Sequence, residues 1–307
     1  MSEPFPLATY DGARPSTPSW FRKAIETPYR SRSVDVDGAN ICYQQWGSAD
    51  KPGLLLVHGD SAHSHWYDFI APAFSDDYNV VAISLSGMGD SDWREAYSFE
   101  QYTSEQIAVM EDAGMFAHAV KPIIAAHSMG GLISIPTAHR CGNLLKGFAL
   151  MDSSIHSPEN IPERPVARMK DQLPLYSDQK SAMARFRLHP SQKCENHFIL
   201  DHIARHSLKE VERDGVAGWT WKFDPSFWAT MDWDDAEIWA MLKTETCKIA
   251  FVYGEQSGLF TKKIKNDIAS HVDVPMLPIK DAGHHVFVDK PLETIAKLRS
   301  IFSLWDE

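Results

Sequence analysis

Lys121-Pro122-Ile123-Ile124-Ala125-Ala126-His127-Ser128-Met129-Gly130-Gly131-Leu132 is the stretch that decides the fold. Ile123 to Ala126 is a short apolar run of the kind a buried strand shows, and from Leu132 to Ala138 an apolar run can open a helix. A serine between a strand end and a helix start sits on a sharp, strained turn that pushes its hydroxyl out of the sheet. Ala126 and Gly130, two residues either side of Ser128, are small enough for strand and helix to approach around that turn. The nucleophile-elbow pattern has Gly where this chain has Ala126. A small-x-Ser-x-Gly string also occurs in ordinary tight turns, so its surroundings must support the reading.

The surroundings repeat one theme. Gly53-Leu54-Leu55-Leu56-Val57-His58-Gly59 and Tyr78-Asn79-Val80-Val81-Ala82-Ile83-Ser84-Leu85 are continuous apolar runs, as expected for strands buried on both faces. Leu145 to Met151, Lys248 to Gly254 and Val274 to Ile279 add three more. His65 to Phe74, Tyr97 to His118 and Pro291 to Trp305 read as helices, and Ser31 to Gly47 as a β-hairpin turning at Asp37-Gly38. Strands alternating with helices predict an α/β fold with a mostly parallel sheet. Between Asp152 and Lys248 no strand signal is read, and the segment is too long for a loop. The expected organisation is an N-terminal arm over 1–31, a core over 32–152 and 245–307, and a helical cap over 153–244.

Composition narrows the class. The chain has 307 residues, 44% of them hydrophobic and 23% charged, with a net charge of −11. That acidity argues against nucleic acid and anionic membrane surfaces as partners. The four cysteines, Cys42, Cys141, Cys194 and Cys247, follow no metal-ligand spacing and suit a reduced cytoplasmic protein. No apolar run approaches a membrane span, and Glu3, Asp11 and several prolines precede any apolar run, unlike a signal peptide. The composition leaves the oligomeric state open, a homodimer included.

Reactive groups in such a sheet collect beyond the carboxyl ends of the strands. There Ser128 is the candidate nucleophile. His284, directly after Gly283, is the candidate base, and His285 should point the other way. The backbone N–H groups of Asp60 and Met129 are placed to form an oxyanion hole, with the Asp60 carboxylate turned aside or hydrogen-bonded. For the acid, Asp152 after the strand that follows the elbow competes with Glu255 after the next one. Ser257 stands where an Asp would be expected, which favours Asp152. Trp66, Trp219, Trp221 and Phe227 could line an apolar substrate pocket, or form the cap's own core. His58, Asp60, His63 and His65 cluster without a known ligand order, so no metal is expected.

Four motifs together resemble α/β-hydrolases with a helical cap: Leu55-Leu56-Val57-His58-Gly59, Ser86-Gly87-Met88-Gly89-Asp90-Ser91, His127-Ser128-Met129-Gly130-Gly131, and Gly283-His284 with Asp289 and Pro291. The likeness runs from about residue 33 to the C-terminus. It is similar in its elbow to many bacterial hydrolases of esters or lactones. Some members of the superfamily place the acid where Asp152 falls, whereas relatives that open epoxides or remove halide carry an elbow Asp. The resemblance implies a serine hydrolase of small ester or lactone substrates needing no cofactor. Carbon–carbon hydrolysis of diketones, acyl transfer, and a non-catalytic receptor on the same fold remain as alternatives.

Overall fold

A computed structural model describes residues 5–161, 172–243 and 246–306. Its twelve strands are β1 (Arg30–Val36), β2 (Ala39–Trp46), β3 (Gly53–Val57), β4 (Asn79–Ile83), β5 (Tyr97–Ser98), β6 (Ile123–His127), β7 (Gly147–Met151), β8 (Leu208–Arg213), β9 (Val216–Trp221), β10 (Met231–Asp232), β11 (Lys248–Gly254) and β12 (Met276–Ile279). Eight of these form one sheet in the order β1-β2-β4-β3-β6-β7-β11-β12. The β1–β2 hairpin runs antiparallel, and β3, β4, β6, β7, β11 and β12 are mutually parallel.

The apolar runs become strands because a period of two gives each run something to bury on both faces. Leu54, Leu56, Val80, Ala82, Ile123, Ala125, Ala149 and Met151 face one layer, packed with Phe74, Phe287, Leu298 and Phe302. Leu55, Val57, Val81, Ile83, Ile124, Ala126, Phe148 and Leu150 face the other, against Tyr102, Val109, Met110, Ile133 and Ile135. Among the described residues ten α-helices flank the sheet and the insertion: α1 (Ser19–Ile25), α2 (Phe99–Asp112), α3 (Met129–Cys141), α4 (Gln179–Met183), α5 (His197–His206), α6 (Phe227–Thr230), α7 (Asp235–Leu242), α8 (Lys262–His271), α9 (Val286–Asp289) and α10 (Pro291–Leu304). The arm expected at the N-terminus carries α1, whose buried Phe21 sits between Phe69 of the core and Phe198 of α5.

Three expectations need correction. His65 to Phe74 is not one helix but two 3-10 turns, Ser64–Tyr67 and Ala71–Phe74. Pro72 opens the second; it has no N–H with which to continue a helix from the first. The helix expected from Tyr97 to His118 is shorter at both ends. Its side-chain cap is Ser98, which accepts from Gln101 N. The chain leaves it at Ala113-Gly114, where Gly114 takes a left-handed φ of 73°. The segment between β7 and β11 is not purely helical: β8 and β9 form an antiparallel hairpin, and β10 pairs parallel with β5 of the core. Residues 162–171 of that segment lie outside the described residues.

Candidate active site

The elbow follows from β6 running directly into α3. Ser128 takes φ 54° and ψ −126°. L-residues avoid that conformation, which costs about 1–3 kcal/mol. Its N–H is held by the Met151 carbonyl at 2.9 Å, and Gly131 and Leu132 donate back to its own carbonyl. Close approach explains the glycine two residues on: a Cβ at Gly130 would lie 2.1 Å from the His58 carbonyl oxygen. The end of β3 and the start of α3 therefore touch backbone to backbone. Gly59 packs on the serine itself, since a Cβ there would lie 3.0 Å from Ser128 Cβ. Asp60, next in the chain, and Met129, first residue of α3, are thus beside the serine, and the first N–H groups of a helix have no partner within it.

His284 and Asp152 complete a continuous chain of hydrogen bonds. Ser128 Oγ donates to His284 Nε2 at 2.8 Å, and His284 Nδ1 donates to Asp152 Oδ1 at 2.8 Å. His284 and Asp152 are both buried, whereas Ser128 is half-buried and open to solvent. Asp152 sits at φ 48° just past β7, its N–H bonded to Val252 O of β11 at 2.7 Å. Its second oxygen accepts from Gly254 N at 2.8 Å, and Ser257 Oγ donates to the first at 2.6 Å. Ser257 thus supports the carboxylate that lies one strand away from where an Asp was expected. Glu255 is exposed, with its own N–H tied to Ile279 O, and is not brought to the histidine.

His127 and His285 stay out of the chain of bonds. His127 Nε2 donates to the His284 carbonyl at 3.0 Å, and burial together with the nearby His284 lowers its pKa well below the usual histidine range. His285 is buried between His127, His284 and Trp66, and burial depresses it likewise. The Asp60 carboxylate is turned to hydrogen-bond donors: Trp228 Nε1 at 3.0 Å and Ser61 Oγ at 3.1 Å. Burial nevertheless raises its pKa, as desolvation outweighs those two bonds.

Of the aromatic residues read as pocket lining or cap core, Trp66 and Phe227 are buried and Trp219 and Trp221 half-buried. Trp66 is buried against His285 and Phe287. Trp219 and Trp221 lie on β9 within the insertion, Trp221 against Tyr176 and Phe186. Phe227 is buried against Tyr97 and Tyr102 of the core. Packing decides the place of such large apolar rings. Trp228, beside Phe227, is the ring that reaches Asp60. Adjacent helical positions face different ways, and Phe227-Trp228 carries no periodic mark to say which ring turns inward.

The histidines of the 58–65 segment have partners of their own. His58 Nδ1 donates to Gly59 O and its Nε2 accepts from Leu85 N, while His63 Nε2 bonds Ser207 Oγ. Among the described residues two other groups bring possible ligand atoms within 4.8 Å, His127/His284/His285 and His65/Asp68/His206. In the first, both His284 nitrogens are taken by Asp152 and Ser128. In the second, His65 and His206 stack at 3.9 Å with planes 16° apart. An ion in the plane of one ring would lie out of the plane of the other, so the stacked pair cannot share it.

The family profile described as Alpha/beta hydrolase family matches residues 54–298, which span β3, the elbow, β11 and the histidine turn. The chain belongs to the alpha/beta hydrolase family. This hydrolase is 27% identical over 125 residues to the uncharacterized hydrolase YugF of Bacillus subtilis, covering 40% of the chain and 44% of that protein. It is 33% identical over 107 residues to epoxide hydrolase 1 of Caenorhabditis elegans, covering 34% of the chain and 26% of that protein. The hydrolase thus spans less than half the length of either curated relative. Among solved structures, the thioesterase domain from the curacin biosynthetic pathway superposes with a TM-score of 0.73 at 19% identity. That match covers 89% of this hydrolase and 99% of the domain, and shows a shared fold. No described helix is long and apolar enough to cross a membrane.

Proposed function

We propose that the chain is a serine hydrolase of carboxylic esters or lactones that works through an acyl-enzyme on Ser128. The observation that carries this reading is the unbroken chain Ser128 Oγ, His284 Nε2, His284 Nδ1, Asp152 Oδ1, with both hydrogen bonds at 2.8 Å. In this reading Ser128 Oγ attacks the acyl carbon while His284 Nε2 takes its proton, and the Nδ1–H bond to Asp152 holds the productive tautomer and steadies the imidazolium. The amides of Asp60 and Met129 hold the oxyanion, each typically contributing ~10²–10³ in rate. His284 then protonates the leaving alcohol, water attacks the acyl carbon with His284 as base, and Ser128 is regenerated.

Serine at the elbow supports acyl chemistry over epoxide opening, for which related enzymes carry an elbow aspartate. The test is a hydrolysis panel of aryl esters, alkyl esters of increasing chain length and lactones, run beside the Ser128→Ala protein. Turnover should disappear in the variant, and a fluorophosphonate probe should label only the unaltered chain. Equal turnover by both proteins would remove Ser128 from the reaction.

A further inference from the structure

Three polar backbone groups surround His284, and each is held by a side chain from a different part of the chain. Gly283 N donates to Asp289 Oδ2 at 2.8 Å. The His284 carbonyl accepts from His127 Nε2 at 3.0 Å. His285 N donates to Gln192 Oε1 at 3.0 Å, and Gln192 comes from the insertion between β7 and β11. The same amide donates through Nε2 to Asp289 Oδ2 at 2.7 Å. Both N–H groups flanking the histidine are therefore fixed by one amide–carboxylate pair. Only one orientation of the Gln192 amide places its oxygen toward an N–H and its nitrogen toward a carboxylate.

We infer that Gln192 is a positioning residue for His284, tying the aim of the imidazole to the seating of the insertion. The amide lies flat on the turn: a Cβ at Gly283 would stand 2.9 Å from Gln192 Oε1 and 3.1 Å from its Cδ. The contact continues beyond Gln192, since Asn196 Nδ2 donates to the Val288 carbonyl at 2.8 Å and to the Asp289 carbonyl at 2.9 Å. The insertion thus docks along the whole segment from Gly283 to Asp289. His127 and Asp152 hold the histidine from the core side, so Gln192 is the insertion's hand on the catalytic turn. A misplacement of about 1 Å in a catalytic group can cost ~10²-fold in rate, so a turn held this way transmits any shift of the insertion to the proton-transfer step. The inference rests on the serine-hydrolase reading for its kinetic consequence, but its structural part does not.

The experiment uses the whole chain with Gln192→Ala and Gln192→Glu. Gln192→Ala should lower kcat by roughly 10- to 100-fold while KM stays within about twofold, because the substrate is not what the amide touches. Gln192→Glu gives a sharper signature. Ionised, the new carboxylate can still accept from His285 N but repels Asp289; protonated, it accepts and donates as the amide does. Its activity relative to the unaltered chain should therefore rise as pH falls. The downfield proton resonance of the His284 Nδ1–H bond should shift or broaden in Gln192→Ala, a readout that needs no turnover. Wild-type kcat, pH profile and resonance in both variants would overturn the inference. A wild-type chain that shows the resonance but turns over no ester would overturn the hydrolase reading alone. Should Gln192→Ala fail to fold, the pH response of Gln192→Glu decides.

Discussion

At the scale of single residues, the acid is the position where sequence and structure meet most sharply. Asp152 and Glu255 both follow sheet strands, and in the sequence only Ser257, standing where an Asp would be expected, favours the first. What separates them is a crossing of chains: Val252 O, Gly254 N and Ser257 Oγ all converge on Asp152, from a strand and loop about a hundred residues away. Asp152→Asn should keep the carboxamide in place yet lower kcat by ~10⁴-fold, because it no longer fixes the imidazole tautomer. Glu255→Gln, on an exposed side chain, should leave kcat within about twofold. Steady-state kinetics on one reporter ester compares the two, and equal losses would exclude the Asp152 assignment. Ser128 and His284 were legible because each needs only its own neighbours: a strand, small residues and a tight turn. Gln192 and Trp228 were not, because their partners are set by docking between segments remote in sequence.

At the scale of elements, the sheet was legible almost strand by strand, since fully buried strands leave continuous apolar runs. The β8–β9 hairpin was missed although Asp214-Gly215 is the turn signal for one. Both turn residues take positive φ, 52° and 77°. Its strands are short of alternation: Lys209, Glu210, Glu212 and Arg213 leave Leu208 as the one buried residue in β8. Burial along β8 does alternate between half-buried and exposed, but charged side chains fill both kinds of position, so the period of two is not written in apolar residues. The elbow gives the prediction at this scale. Gly130→Ala places a methyl group against the His58 carbonyl, and backbone cannot rotate aside as a side chain does. The variant should lose roughly 1–3 kcal/mol of stability, read from its urea midpoint, and should also lose ester turnover. Unchanged stability would mean that β3 and α3 do not meet as closely as described.

Acid tolerance belongs to the molecule as a whole. Burial holds the imidazoles of His58, His63, His127 and His285 below the ordinary histidine range, His58 at about 4. In the unfolded chain the same groups take up protons near pH ~6.5. Their folded values are lowered, so their share of stability is complete above pH ~6.5 and is lost as pH falls through the folded values. The slope is ~1.4 kcal/mol per pH unit for each group, and the four act together. The fold should therefore weaken first as pH falls from ~6.5 toward about 4. Asp68 acts at lower pH. Burial raises its carboxyl, but hydrogen bonds from His202 of α5 and from His65 prevail and bring it to about 2. Its contribution therefore fades only as pH drops from ~4 to about 2, below the range in which the histidines have already acted. A tryptophan-fluorescence titration checks the order, and a fold that does not weaken between pH ~6.5 and about 4 would contradict it.

The insertion is sewn to the core through main-chain bonds as well as side chains. Asp224 N reaches Gly87 O at 2.7 Å, Met88 bridges Phe223, and β10 lies along β5, with Tyr97 Oη donating to Asp224 Oδ2 at 2.7 Å. Such stitching fixes the described part of the insertion to the core at several points. A molecule bound for Ser128 would then meet an insertion already seated on the core, with Trp228 hydrogen-bonded to Asp60 beside the serine. Reporter-ester hydrolysis would accordingly start without a slow opening phase, and a lag before turnover in stopped-flow traces would speak against it.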